Sequence, residues 1–245
     1  TPFQNVALTE STPKSFYGDN PVLAISSLND FKLKSNSQST EDSLERLYQN
    51  ATQQALKRRG SEAFEAADVL SAKHYNAYRP ANGARYPNSP LGRSLKQIAF
   101  LIKSGVGLEI AFAESNGWDT HRGQGKERGA FARRGKDLAD SIHAFWTDLG
   151  NYRDDVVLMT MTEFGRTVGQ NGAGGTDHGR GSCMFVLGGE VKGGKVYGKV
   201  GSLNRDNLED GRDLPVTTDF RALFAGVAGR HLRLRPDSGL FPRWN

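Results

Sequence analysis

Two short segments concentrate the side chains capable of chemistry. The first, Glu114-Ser-Asn-Gly-Trp-Asp-Thr-His-Arg-Gly-Gln124, carries Asp119 and His121. The second begins Thr162-Glu-Phe-Gly-Arg-Thr167 and continues Asn171-Gly-Ala-Gly-Gly-Thr-Asp-His-Gly179, so it carries Glu163, Arg166, Asp177 and His178. Carboxylates beside neutral imidazoles make a ligand set suited to zinc or manganese, with calcium or magnesium as alternatives. Asp119, His121, Asp177 and His178 are therefore the candidate metal ligands. Glu163 and Arg166 are the candidate catalytic groups, Arg166 because a guanidinium matches the oxygens of a phosphate or sulfate. Each motif alone has a plainer explanation. An Asp-Xaa-His is commonly a hydrogen-bonded loop pair, and Arg166 has Glu163 and Asp177 as possible ion-pair partners. What favours a metal is convergence, since two of the five histidines fall in these segments, each within two residues of an aspartate.

Convergence depends on the elements that carry the segments. Residues 106–113 are almost continuously apolar and predict a strand covered on both faces, as do Asp155-Val-Val-Leu-Met-Thr-Met161 and residues 183–187. Between the first two lies a long amphipathic helix with Leu138, Ile142, Phe145, Trp146 and Leu149 on one face. Two buried strands joined through a helix describe a βαβ unit. The expected fold class is α/β, a doubly wound, mostly parallel sheet with helices on both faces. In such sheets ligands bind beyond the carboxyl ends of the strands, where both segments would lie.

Upstream, residues 3–8 and 21–25 read as short strands, and Thr40 is placed to cap a helix. A second helix is expected over residues 62–75, and a Pro- and Asn-rich loop over residues 79–89. Ser89-Pro90 opens a further helix with apolar Leu91, Leu95, Ile98, Ala99 and Ile102, ending at Gly105. A last helix follows Thr217 and Thr218, the expected caps. The chain is read as a single α/β domain over residues 1–245, with the helical region 40–105 as an insertion or cap.

Other features narrow the field. The 245 residues suffice for a sizeable core, and no apolar run is long enough to span a membrane as a helix. A net charge of +5 without a basic reading motif argues against a nucleic-acid binder. The single cysteine, Cys183, excludes an internal disulfide and a cysteine-rich metal site. No Gly-Xaa-Ser-Xaa-Gly elbow is present, which removes support for a serine-triad hydrolase. Gly172 to Gly175 reads as a flexible loop rather than a phosphate cradle, because no helix follows it. The basic run Arg122, Lys126, Arg128, Arg133, Arg134 and Lys136 reads as a solvated face. Trp118 is expected to anchor its loop, and His74, His143 and His231 to be structural.

The strings Gly117-Trp-Asp-Thr-His121, Thr162-Glu-Phe-Gly-Arg-Thr167, Asn171-Gly, Gly175-Thr-Asp-His-Gly179, Gly188-Gly189 with Gly193-Gly194, and residues 213–220 resemble the DUF1501 family. The resemblance covers essentially the whole chain. It implies an alkaline-phosphatase-like fold of the superfamily that includes sulfatases. It also implies a metal-dependent hydrolase acting on small or polymer-borne phosphate or sulfate esters, exported to the periplasm or beyond by a twin-arginine type signal. Asp119 and His121 fall where that superfamily carries ligands of one metal, and His178 near a later ligand of the same site. Phe164 stands where a histidine of a second metal site is expected. Family members are typically longer at the N-terminus, so this chain, opening Thr1-Pro2-Phe3, is expected to be the C-terminal portion of a longer domain and to lack the strand that bears the nucleophile. A non-catalytic exported binding or scaffold protein that retains the fold is the competing expectation.

Overall fold

A computed structural model describes residues 1–31, 38–50, 53–199, 201–234 and 241. The chain is mixed α/β and divides into two compact units, residues 1–116 with 135–150, and residues 117–134 with 151–245.

In the first unit, β1 (Asn5–Ala7) is the middle of a three-stranded parallel sheet. It is flanked by β2 (Leu23–Ala24) and by β3 (Ile110–Phe112), in register Val6 to Leu23 and Val6 to Ala111. The central strand is the buried one: Val6 and Ala7 are fully inaccessible, as is Phe3 just before it. Residues 106–113 were expected to form a strand covered on both faces, and here the structure differs. Only Ile110–Phe112 pairs, on the outer side of the sheet with β1 as its partner, and Ile110 is exposed. Gly105 and Gly107 adopt left-handed backbone angles, which end α3 and delay the strand.

The helices of this unit lie near their sequence signals with shifted bounds, the helix expected over residues 62–75 running from Gln54 to Lys73. α1 (Gln38–Gln49) and α2 (Gln54–Lys73) contact one another, and Gly60 faces Tyr48 so closely that a Cβ there would lie 2.4 Å from the ring. Thr40 sits inside α1 rather than ahead of it. The polar connection expected over residues 35–40 lies mostly outside the described residues. α3 (Pro90–Lys103) starts as its sequence dictates, with Ser89 Oγ accepting from Gly92 N at 3.0 Å and Pro90 at the first helical position. It buries Leu91, Leu95, Ile98, Ala99 and Leu101.

α4 (Ala130–Leu149) buries Ser141, Ala144, Phe145, Asp148 and Leu149, a stripe at helical spacing. Asp148, a charged residue on this helix, is completely buried. It accepts from Tyr78 and Tyr86 hydroxyls at 2.8 Å, from Ala81 N at 2.7 Å and from Lys103 Nζ at 2.5 Å. Burial pushes its carboxyl up, but Lys103, the Ala81 N–H and the two hydroxyls outweigh that and hold it below the ordinary value. Burial and the same carboxylate push both tyrosine hydroxyls far above theirs.

In the second unit, β4 (Val157–Met159) pairs antiparallel with β7 (Val186–Gly188), and β5 (Gly165–Arg166) antiparallel with β6 (His178–Gly179). Among the described residues β3 pairs with β1 within the first unit, and β4 with β7 within the second. The pairing of β4 extends through Thr160, whose N–H donates to Phe185 O and whose Oγ1 accepts from Phe185 N. The strand expected over residues 183–187 begins later, at Val186, and leaves Cys183 exposed. α5 (Phe220–Arg230) is capped by Asp219, which accepts from Arg221 N, and not by Thr217 or Thr218. No helix of the described residues is long and apolar enough to cross a membrane.

The two units differ in what holds them. Most buried apolar side chains belong to the first. Among the described residues of the second, only Ala225 and Ala228 are buried apolar groups, whereas Thr120, Thr167, Thr176 and Asp213 are buried polar ones. Hydrogen bonds and close glycine contacts organise the region that carries the candidate site.

Candidate metal centre

Three pieces of second-unit backbone build the site. Residues 120–124 run alongside residues 173–176: Gly123 N donates to Ala173 O (3.1 Å), Gln124 N to Gly174 O (2.9 Å) and Thr176 N to Thr120 O (3.2 Å). The third piece is the β5–β6 pair, continued by Thr167 N to Asp177 O at 3.0 Å and Asp177 N to Thr167 Oγ1 at 3.1 Å. Such close approach needs glycine at Gly175, where a Cβ would lie 2.3 Å from the carbonyl carbon of His121 and 2.4 Å from Thr120 O. Beneath the surface Gln124 Oε1 accepts from Thr120 Oγ1 and Thr176 Oγ1, both at 2.7 Å, locking the two loops together.

This framework brings Asp119, His121 and His178 to one place. Their ligand atoms all lie within 4.8 Å of one another. Asp119 Oδ1 is 3.0 Å from His121 Nε2 and 3.0 Å from His178 Nε2. Donors bonded to one ion at about 2.0–2.2 Å lie roughly 3–3.5 Å apart, so the spacing suits a shared cation. All three residues are exposed, which leaves the cluster open to solvent.

The proton inventory sharpens the point. His121 Nδ1 lies 3.0 Å from Asp177 Oδ1, a distance that asks for an N–H on Nδ1. A neutral imidazole has one N–H, so Nε2 then turns a lone pair toward the Asp119 carboxylate. Facing lone pairs are brought together by a shared cation or by a second proton. Asp177 thus stands behind the ring, as a carboxylate that orients a ligating histidine. Its carboxyl is held below the ordinary value by the hydrogen bond from Asn171 first and by His121 next. Asp119 is held low chiefly by Arg166, with His178 and His121 adding to it. Lowered values keep both carboxylates ionised at neutral pH.

Arg166 pairs with Asp119, not with Glu163 or Asp177. Its guanidinium is pinned from behind: Nε donates to Thr176 Oγ1 at 3.1 Å, and Nη2 donates to Thr176 O. Phe164 stacks flat on His178, ring centroids 3.8 Å apart and planes 14° from parallel, and Arg166 lies over the same Phe164 ring. Glu163 is exposed, and among the described residues no hydrogen bond or ion pair joins it to the cluster.

Of the residues singled out from sequence, the structure gathers Asp119, His121, Arg166, Asp177 and His178 and leaves Glu163 aside. Trp118 is partly covered, edge-on to Phe131 with ring centroids 5.8 Å apart. The Gly172 to Gly175 turn is organised from within: Asn171 Oδ1 accepts from Ala173 N and Gly175 N, both at 3.0 Å, and Gly174 N donates to Asn171 O. Several participants have no role assigned from sequence, among them Asn171, Gln124, Thr120, Thr167, Thr176 and the stacked Phe164. Only Asn171 carried a local signal, the turn-forming Asn-Gly pair.

Fold and site together define a class, an α/β protein bearing an exposed Asp/His/His cluster braced by a second carboxylate. The chain belongs to the DUF1501 family: the family described as "Protein of unknown function (DUF1501)" matches residues 3–240. No curated protein matches the chain, and no solved structure does.

Proposed function

We propose that this chain is a metal-dependent hydrolase-like domain acting on phosphate or sulfate esters, of alkaline-phosphatase-like architecture and exported from the cell. The observation that carries the reading is the convergence of Asp119 Oδ1, His121 Nε2 and His178 Nε2, with Asp177 behind His121 and Arg166 beside Asp119. Asp119, His121 and His178 would hold a divalent ion, which would supply Lewis acidity toward an ester oxygen and toward a nucleophile or water. The chain's own residues do the rest. Asp177 orients His121, Phe164 holds the His178 ring in plane, and Arg166 sets fixed N–H donors where negative charge develops. The sparse apolar burial of the second unit supports the reading as well, since an ion tying residues 119 and 121 to residue 178 would contribute folding energy there.

The test pairs metal content with turnover. Elemental mass spectrometry should find stoichiometric divalent metal in the protein and little in His178→Ala. The longest form that purifies should hydrolyse an aryl phosphate or aryl sulfate when that metal is present. No activity above the His178→Ala control with any divalent metal would sink the hydrolase reading.

One observation favours a second reading, a non-catalytic exported binding or scaffold protein. Arg166 already neutralises Asp119, so the cluster has an internal cation of its own. Absence of bound metal after reconstitution would turn the assignment that way.

A further inference from the structure

The residue that grips His121 most completely is Asn171, a side chain outside the ligand set. Its amide nitrogen donates at 3.0 Å to the main-chain carbonyl of His121 and, also at 3.0 Å, to Asp177 Oδ1, the same oxygen that faces His121 Nδ1. His121 is thus held at both ends, by its backbone directly and by its ring through Asp177. The amide oxygen accepts from Ala173 N and Gly175 N, so all four hydrogen-bonding positions of the side chain are filled. The opposite amide orientation would set oxygen against the His121 and Asp177 oxygens and NH2 against two N–H donors. Four repulsive contacts would replace four attractive ones, so only one orientation fits.

We propose that Asn171 is the positioning residue of the metal centre: through Asp177 it fixes the ring and the proton of His121, so that Nε2 faces the position an ion would occupy between it and Asp119. This rests on the metal reading above but is separable from it, because the chain from Asn171 to Asp177 to His121 exists without an ion.

A simpler role for Asn171 is the turn alone, and Asn171→Asp separates the two. Aspartate serves as well as asparagine in accepting from the N–H groups two and four residues on, so a turn-only role predicts an unchanged site. Its added negative charge would even favour a cation. A positioning role predicts the reverse, because a carboxylate oxygen would replace the donor to His121 O and Asp177. Loss of an orienting partner behind a ligand typically lowers metal affinity about 10–100-fold.

Two measurements are made on wild type, Asn171→Asp and Asn171→Ser, the last retaining a turn acceptor should the aspartate variant misfold. The first is zinc affinity by chelator competition, with cobalt(II) absorption as a check on geometry. The second, on metal-free protein, is the NMR signal of a slowly exchanging, downfield His121 Nδ1–H. The proposal expects both variants to lose the ring N–H signal and at least about tenfold in zinc affinity. If wild type binds no zinc but the N–H signal is present and vanishes in the variants, the metal reading fails and the positioning role stands. If a folded variant keeps the N–H signal and the zinc affinity of wild type, Asn171 only builds the turn and the proposal is overturned.

Discussion

Replacing Asp148 by asparagine should cost the first unit more stability than any other single isosteric change. The carboxylate is fully buried and serves four donors: two tyrosine hydroxyls, one main-chain N–H and the Lys103 ammonium. An amide keeps one acceptor oxygen, turns an NH2 toward the remaining donors and leaves Lys103 without its counter-charge. Breaking a buried pair by removing one partner costs about 3–5 kcal/mol. Lys103 retains 17% of its side-chain exposure, so water still reaches the ammonium, and the low end, about 3 kcal/mol, is expected. With an m-value of about 2 kcal/mol/M in urea, the midpoint should fall by roughly 1.5 M. The assay is urea unfolding at pH 7 followed by circular dichroism, comparing Asp148→Asn, Lys103→Met and the double variant. Lys103→Met removes the charge and leaves the tyrosines to satisfy the carboxylate, and the double variant should lose less than the sum of the two. A midpoint for Asp148→Asn within about 0.3 M of wild type, equivalent to roughly 0.6 kcal/mol, would refute the assignment of Asp148 as the buried hub.

Further outcomes follow from the same contacts. Because the Asp148 carboxyl titrates below its unfolded value of about 3.9, its contribution is present above that pH and is lost as pH falls through the folded value. Acid unfolding of Asp148→Asn should therefore be less steep than that of wild type below about pH 4, and identical slopes would contradict this. Gly175→Ala should cost about 1–3 kcal/mol in thermal or urea unfolding, since its Cβ would meet backbone of Thr120 and His121, whereas Gly172→Ala meets nothing within 4 Å and should stay within about 0.5 kcal/mol. Equal effects would mean that the loops do not approach as described. If the cluster binds zinc, a concentration of 100 Kd should stabilise the folded chain by about 2.7 kcal/mol. That would appear as a zinc-dependent rise in unfolding temperature, reversed by chelator and absent in His178→Ala.

Local chemistry is what the sequence by itself determined. Ser89, Pro90 and Gly105 delimit α3, because a cap, a preset φ and a left-handed stop act on neighbouring residues. The helical period likewise located α4, and the Asp-Xaa-His and Asp-His pairs named four of the residues that the fold gathers at the centre. Strand partnership was decided only in three dimensions. A three-residue apolar strand carries no record of whether its neighbour is parallel or antiparallel, and β3 and β4 took different partners. Polar contacts over long separations were equally hidden. Arg166 had carboxylates nearer in sequence than Asp119, yet the anchoring of its guanidinium on Thr176 carries it to that one. Neither the burial of Asp148 nor the partners of Asn171 is written in the sequence, because burial and hydrogen-bond partners are properties of the assembled backbone. The ligand types were written locally, and the geometry that would let them share an ion exists only where the loops around residues 121 and 175 close on one another.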